Sequence, residues 1–265
     1  MSLQQRKQAP DASDPAHVRR VRVRLDDGAR TTLHVAEHPL AHTALRVALL
    51  PGPMTLERWC RLHGVQEALV GGFYVRNPLE RADPVLHGMP LGELRSEGVA
   101  CASIPFIAPW GARRACVHVD DGDVRIARRD ELAADLDGDL LQAGPLLVRD
   151  GRPIDHAEEG FAEGAGQFDS DITVGRHPRA ALGIDDSRLL AVASEGRTTG
   201  EAGLTLEELA RALVDLGARA ALNLDGGGST SLVCAGRLRN VPRDGDGAVL
   251  EGGRPIATAL VFTPR

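Results

Sequence analysis

The densest chemistry in this chain lies in Asn223-Leu224-Asp225-Gly226-Gly227-Gly228-Ser229-Thr230-Ser231. Two apolar segments, Ala220 to Leu224 and Ser231 to Ala235, flank it, so three consecutive glycines stand where the chain must reverse. Successive backbone N–H groups in such a loop can converge on an anion. Asp225 supplies a carboxylate suited to acid–base or nucleophilic work, while Asn223, Ser229 and Thr230 add hydrogen-bonding groups for a sugar or phosphate oxygen. A plain flexible hairpin would account for the glycines but not for their polar neighbours. The lysine of a nucleotide P-loop is missing, which excludes that motif.

Upstream, His177-Pro178-Arg179 and Glu195-Gly196-Arg197 each sit at the end of an apolar segment. Two arginines at strand ends near a carboxylate are what recognition of a phosphodiester monoanion requires, since a guanidinium grips two phosphate oxygens in one plane. Surface salt bridges are the competing explanation, and Arg254, ahead of the last strand, carries the same two readings. Phe73 follows Gly71-Gly72 and could stack on a sugar ring or pack in the core. His34, His38 and His42 would line one face of a helix as metal ligands. Pro39 and the alternation around them argue for a strand instead, so no metal site is expected.

The elements that must position these groups are mostly strands. Val21, Val23 and Leu25 alternate with arginines, Asp27-Gly28 offers a turn, and Thr31, Leu33 and Val35 alternate again, which predicts a β-hairpin. Further strands are expected at 45–50, 68–74, 116–120, 124–128, 146–149, 180–184, 189–193, 220–224, 231–235 and 256–262. One helix is predicted from Thr205, which forms a capping box with Glu208, to Leu216, with Gly217 ending it. A shorter helix is predicted from Thr55 to His63, ended by Gly64. Both helices lead into a strand and then a glycine segment, Gly71-Gly72 or Gly226 to Gly228, and this parallel suggests that the two segments meet in one cleft. Residues 150–175 should form a long loop over one face of the sheet.

The fold class expected is α+β: a mixed, largely antiparallel β-sheet core with a few helices in a single domain, 19–265, behind a disordered or extended segment, 1–18. The chain has 265 residues, 43% of them hydrophobic, enough for a sizeable core. Its net charge of -6 provides no field for a polyanion, so nucleic acid is not an expected partner. Lys7 is the only lysine, leaving arginine to carry nearly all positive charge. No apolar run is long enough to span a membrane, and the charged start lacks a signal-peptide core, which places the chain in the cytoplasm unless a leader has been lost. Cys60, Cys101, Cys116 and Cys234 lack zinc-ligand spacing and are expected to be reduced, buried thiols.

Taken together, these pieces resemble the phosphodiester glycosidase family. The resemblance rests on Gly71-Gly72-Phe73, Ala143 to Leu147 with Asp150-Gly151, Pro178-Arg179 through Gly183, Gly196-Arg197, Gly203-Leu204-Thr205 with its helix, Asn223 to Ser229, Asn240, and Arg254-Pro255. Val70, Ala180 and Glu195 depart from the family pattern, standing where Asn, Thr and Asp are usual. The resemblance implies a hydrolase that cleaves the glycosidic C–O bond of a sugar-1-phosphodiester without a cofactor, acting on a small-molecule or glycan phosphodiester. Asp225 and Glu195 would be its carboxylates. Arg179, Arg197, Arg254, Asn223, Gly226 to Thr230, Gly71 to Phe73 and Asn240 would contact substrate. A non-catalytic carbohydrate- or phosphate-binding module and a metal-dependent phosphodiesterase are the alternatives, and a hydrolysis assay separates them.

Overall fold

A computed structural model describes residues 4–7, 17–75, 88–107, 110–155 and 175–265. The first half of the chain contributes β1 (Gln4–Lys7), β2 (Val18–Arg24), β3 (Arg30–Pro39), β4 (Thr43–Met54), α1 (Leu56–His63), β5 (Ala68–Val70), β6 (Leu94–Ser96), β7 (Val99–Ala100), α2 (Trp110–Arg113), β8 (Ala115–Asp120) and β9 (Asp123–Arg128). The second half contributes β10 (Asp139–Gln142), β11 (Leu146–Arg149), β12 (Arg152–Pro153), β13 (Ala180–Ile184), β14 (Arg188–Ser194), α3 (Leu206–Asp215), β15 (Ala220–Asn223), β16 (Leu232–Cys234), β17 (Arg237–Leu238) and β18 (Ile256–Pro264).

They assemble into three sheets. The largest runs β1-β2-β3-β14-β13-β15-β11-β12; the others run β17-β16-β5-β18-β4 and β7-β6-β10-β8-β9. Ladders between the described strands are antiparallel, and Leu91 with Ile104 makes a parallel bridge outside them. This is the single-domain α+β fold expected from the sequence. Side chains alternate across the large sheet as its period of two dictates. Leu33, Val35, Leu190, Val192 and Ala221 face α3 through Leu209 and Leu213. Ala36, Leu189, Ala191, Leu182 and Leu222 face the second sheet, where they join Leu45, Val47, Leu69 and Leu260. The large sheet is therefore buried on both faces, which is why its central strands read as nearly continuous apolar runs.

Local signals place the elements. Thr55 caps α1 by accepting from the Arg58 N–H, and Gly64 closes it in the left-handed conformation. Thr205 and Glu208 form the capping box of α3: the Glu208 N–H donates to Thr205 Oγ1 at 3.1 Å and the Thr205 N–H to Glu208 Oε2 at 2.9 Å. The β2–β3 hairpin turns at Asp27, whose Oδ1 accepts from the Ala29 N–H at 3.0 Å. β3 is a strand through both His34 and His38, so the three-histidine helix is excluded.

Differences from expectation are local. The segment expected as one strand over 68–74 ends at Val70, and Tyr74 makes only an isolated bridge to Pro90. The short strands β6, β7, β10, β12 and β17 were not anticipated: each is too brief to show a period. The loop expected over 150–175 begins instead with β12 pairing back on β11, and its residues 156–174 lie outside the described residues, as does most of segment 1–18. The rest of that segment includes β1, an extended strand paired with β2. Cys60, Cys116 and Cys234 are buried free thiols, whereas Cys101 is only half-buried. Among the described residues no helix is long and apolar enough to cross a membrane.

Candidate active site

Strand ends from two sheets deliver the candidate groups to one place. β13 and β15 pair with Ala181 opposite Asn223, and past that pair the Leu224 N–H donates to Ala180 O at 2.9 Å. The next residue crosses between sheets: the Asp225 N–H donates to Gly71 O at 3.0 Å, and Gly71 directly follows β5. Gly71 and Gly72 are fastened in turn to β18, through Thr258 O and Thr258 Oγ1, each at 2.9 Å. A Cβ on Gly71 would stand 2.5 Å from Thr258 Oγ1 and 2.8 Å from the Thr258 carbonyl, so this crossing requires glycine. The two glycine segments are thus neighbours, as their parallel contexts suggested.

Residues 227–229 make a single 3-10 turn. Its amides are largely committed internally. The Gly226 N–H donates to Asp225 Oδ1 at 2.8 Å, Gly227 N–H to Pro178 O at 2.8 Å, Ser229 N–H to Gly226 O at 3.1 Å and Thr230 N–H to Gly227 O at 3.2 Å. The cationic character of the loop therefore comes from guanidinium groups more than from a row of converging amides.

Three arginines surround it. Gly226 lies against Pro178 and Arg179; a Cβ built on Gly227 would be 3.1 Å from the Arg197 guanidinium, and one on Gly228 would be 2.9 Å from that of Arg254. Arg179 is only 2% exposed, with Nε donating to Leu204 O at 3.0 Å and its backbone N–H to Ser194 Oγ at 2.8 Å. Burial, and then the like charge of Arg197, pull its pKa down to about 10, which still leaves it cationic at neutral pH. Arg197 is half-buried, donates to Arg243 O at 2.8 Å and adopts a φ of 65°. A non-glycine residue held in that region stores strain of about 1 kcal/mol or more, as Glu97, Asp121, Asp150 and Ala235 do elsewhere in the chain. Gly196 lets this turn approach: a Cβ there would meet Pro178 N at 2.8 Å. Arg254 pairs with Asp244 at 2.6 Å, and its N–H donates to Gly228 O at 2.9 Å.

The two carboxylates differ in setting. Asp225 is 9% exposed and sits at the root of the loop, one residue from the glycines. Glu195 is as deeply buried, but its Oε1 contacts His34 Nε2 at 2.9 Å and accepts from the Val241 N–H at 3.0 Å. His34 was not identified as a partner from the sequence. Its signal lies in the β3–β14 register, which sets His34 opposite Ala193, two positions before Glu195, and one chain segment read alone does not contain that register.

The remaining candidates divide. Asn240 is buried and ties the loop to β16, accepting from the Leu232 N–H at 3.0 Å and donating to Thr230 O at 2.7 Å. Phe73 is buried, with the Arg114 guanidinium 6.0 Å from its ring, which is core packing and not a platform open to solvent. Asn223 Oδ1, Thr230 Oγ1 and Ser231 Oγ are buried polar atoms without a hydrogen-bond partner. Buried groups of this kind are uncommon in a folded chain and call for a specific partner. Ser231 was not among the expected site residues, because it reads as the first position of a strand. A cavity of about 300 Å³ lined by Leu146, Arg149, Asp185 and Arg219 lies at the opposite ends of β13 and β15, away from these groups.

Comparison with known proteins bears on the fold and on the family. The zebrafish N-acetylglucosamine-1-phosphodiester alpha-N-acetylglucosaminidase catalytic domain, auto-inhibited by its pro-peptide, superposes with a TM-score of 0.67 at 18% identity, covering 100% of this chain and 89% of that one. A hypothetical protein from Synechocystis has a TM-score of 0.63 at 19% identity over 96% of this chain and 65% of its own. A putative exported protein from Burkholderia pseudomallei has a TM-score of 0.62 at 17% identity, covering 89% and 74%. At those identities the likeness is one of fold. In sequence, the SPbeta prophage-derived uncharacterized protein YomE of Bacillus subtilis is 29% identical over 147 residues, 52% of this chain and 21% of that protein, so the chain spans about a fifth of the relative's length. A phosphodiester glycosidase profile matches residues 63–263, taking in Gly71-Gly72, Arg179, Arg197, the Asp225 loop and Arg254, and the chain accordingly belongs to the phosphodiester glycosidase family.

Proposed function

We propose that this protein hydrolyses the glycosidic C–O bond of a sugar-1-phosphodiester, releasing free sugar and a phosphomonoester. The observation that carries the reading is the gathering of Arg179, Arg197 and Arg254 around Gly226 to Gly228, beside the Asp225 carboxylate. When the C1–O bond breaks, the bonding pair stays with the phosphate oxygen, so the departing group gains a second negative charge. Guanidinium groups fixed at the loop answer that charge as it develops, which is worth more than binding the substrate's single charge equally throughout. A phosphomonoester is a much weaker base than an alkoxide, so a strong general acid is not required.

At carbon, positive charge builds on the sugar ring. Asp225 serves there, as nucleophile or as base to the water whose oxygen ends on C1. Glu195, clamped by His34 and the Val241 N–H, is the second carboxylate. Thr230 and Ser231 offer buried hydroxyls to sugar or phosphate oxygens, and Asn223 Oδ1 accepts from a sugar hydroxyl. The test is a panel of glycosyl phosphodiesters varied in sugar, with a dialkyl phosphodiester lacking an anomeric carbon as control. Release of reducing sugar and phosphomonoester from a panel member, and no hydrolysis of the control, supports the reading. Hydrolysis of the control alone would replace it with a phosphodiesterase, and binding without turnover would replace it with a carbohydrate- or phosphate-binding module.

A further inference from the structure

We propose that His17, His38 and Glu67 form a binding site for a zinc-class divalent cation that clips the eight-stranded sheet to the sheet that holds β5. One ligand atom from each residue lies within 4.8 Å of the other two. In a tetrahedral zinc site with bonds of about 2.0–2.1 Å, ligand atoms stand about 3.4 Å apart, so closure needs movements of about 1 Å. His17 and Glu67 are nearly at that spacing already, with His17 Nε2 3.1 Å from Glu67 Oε2. His17 is half-buried just before β2.

His38 is the second, independent observation. Its residue is 5% exposed, and its Nε2 is buried without a hydrogen-bond partner. A buried unpartnered nitrogen is costly, and an imidazole beside another imidazole and a carboxylate is a donor set that a borderline-soft divalent cation takes. The surroundings hold His38 and Glu67 in orientation. The His38 ring stacks on Phe262, with centroids 4.2 Å apart. Glu67 keeps Oε2 towards His17 because Oε1 accepts from the Ala235 N–H at 2.9 Å. His17 is anchored through its carbonyl, which accepts from the Glu37 N–H at 3.0 Å. Such supporting bonds are characteristic of metal ligands. Two imidazoles and a carboxylate leave a fourth position for water.

The cluster is separate from the candidate active site. His38 pairs opposite Leu189, whereas His34, which contacts Glu195, pairs opposite Ala193. Four residues of strand separate the two histidines, about 13 Å at about 3.3 Å per residue. Glu67 likewise precedes β5, and Gly71 follows it. His38 belongs to the large sheet and Glu67 leads into the second, so a bound ion would join them at the end remote from the arginines.

The full chain, stripped with chelator and desalted, should be titrated with zinc by calorimetry and with cobalt by visible absorption, beside His17→Ala, Glu67→Gln and His38→Ala variants checked for fold by circular dichroism. Wild type should bind one equivalent, with the absorption of a four-coordinate cobalt–histidine site and a raised melting temperature. His17→Ala, which leaves the core intact, should weaken binding at least about 10-fold, a loss that even an outer partner of a metal ligand commonly causes. Absence of stoichiometric binding in wild type, or unchanged affinity in both His17→Ala and Glu67→Gln, would overturn the proposal and leave a His17–Glu67 ion pair beside a buried neutral histidine. None of these readouts depends on glycosidase activity.

Discussion

Asp225 and Arg197 have unlike tasks in the proposed reaction. Asp225→Asn preserves shape and can still accept the Gly226 N–H that holds the side chain, but it removes the charge needed at carbon. Turnover should fall by about 10² to 10⁴ with the melting temperature little changed; steady-state kinetics beside a thermal melt reads both, and full activity would reassign Asp225 as a turn residue. Arg197→Lys keeps one positive charge and the same left-handed backbone requirement, so its effect isolates the planar fork. The expected result is a fall in kcat and not a rise in KM alone, because the fork meets charge that develops on the leaving phosphate. The segments that meet here were legible in the sequence. The Asn-Leu-Asp-Gly-Gly-Gly-Ser string carries its own local demand for a reversal, and Pro-Arg and Gly-Arg mark strand ends. What could not be read was which groups touch: the Glu195 contact with His34 spans the register of two strands far apart in sequence, and Phe73 beside a glycine pair looks the same whether it faces sugar or core.

At the scale of elements, the site depends on the ends of β13, β15 and β5 arriving together. The Gly71 crossing is the narrowest joint, so Gly71→Ala should destabilise the fold by about 1 to 3 kcal/mol through overpacking against Thr258, measured by urea unfolding. Thr205→Ala tests a different joint. It removes the acceptor for the Glu208 N–H at the start of α3 and should cost about 1 kcal/mol while leaving KM unchanged. α1 and α3 were legible to within a residue or two because capping residues and glycine stops are local chemistry, whereas the four-residue α2 carries no such signal and was not expected. The strands with strong alternation, such as β2 and β3, were equally clear. β10 was not: Asp139 and Gln142 bracket two leucines, and this polar frame suggests a loop, although all four residues are buried. Asp139 is tolerated because its carboxylate accepts the Val47 and Gly98 N–H groups at 2.9 and 3.0 Å, partners that only the fold supplies.

At the scale of the whole molecule, two sheets closed over a shared apolar core set which groups water can reach. Burial pushes the Cys60 thiol up to about 12 and raises Cys116 as well, so at pH 8 Cys60 is about one part in 10⁴ thiolate. A thiol-reactive chromogen should titrate Cys101 quickly in the native protein and the other three only after unfolding; rapid reaction of more than one thiol would mean that the core opens readily. The same closure concentrates the polar chemistry at strand ends, where the arginines and Asp225 stand. Cleavage of the carbon–oxygen and not the phosphorus–oxygen bond is read by hydrolysing a reactive glycosyl phosphodiester in ¹⁸O-labelled water and following the phosphomonoester by ³¹P NMR. The phosphomonoester should be free of label, because the water oxygen ends on the sugar carbon; a phosphomonoester carrying ¹⁸O would mean attack at phosphorus and overturn the proposed reaction.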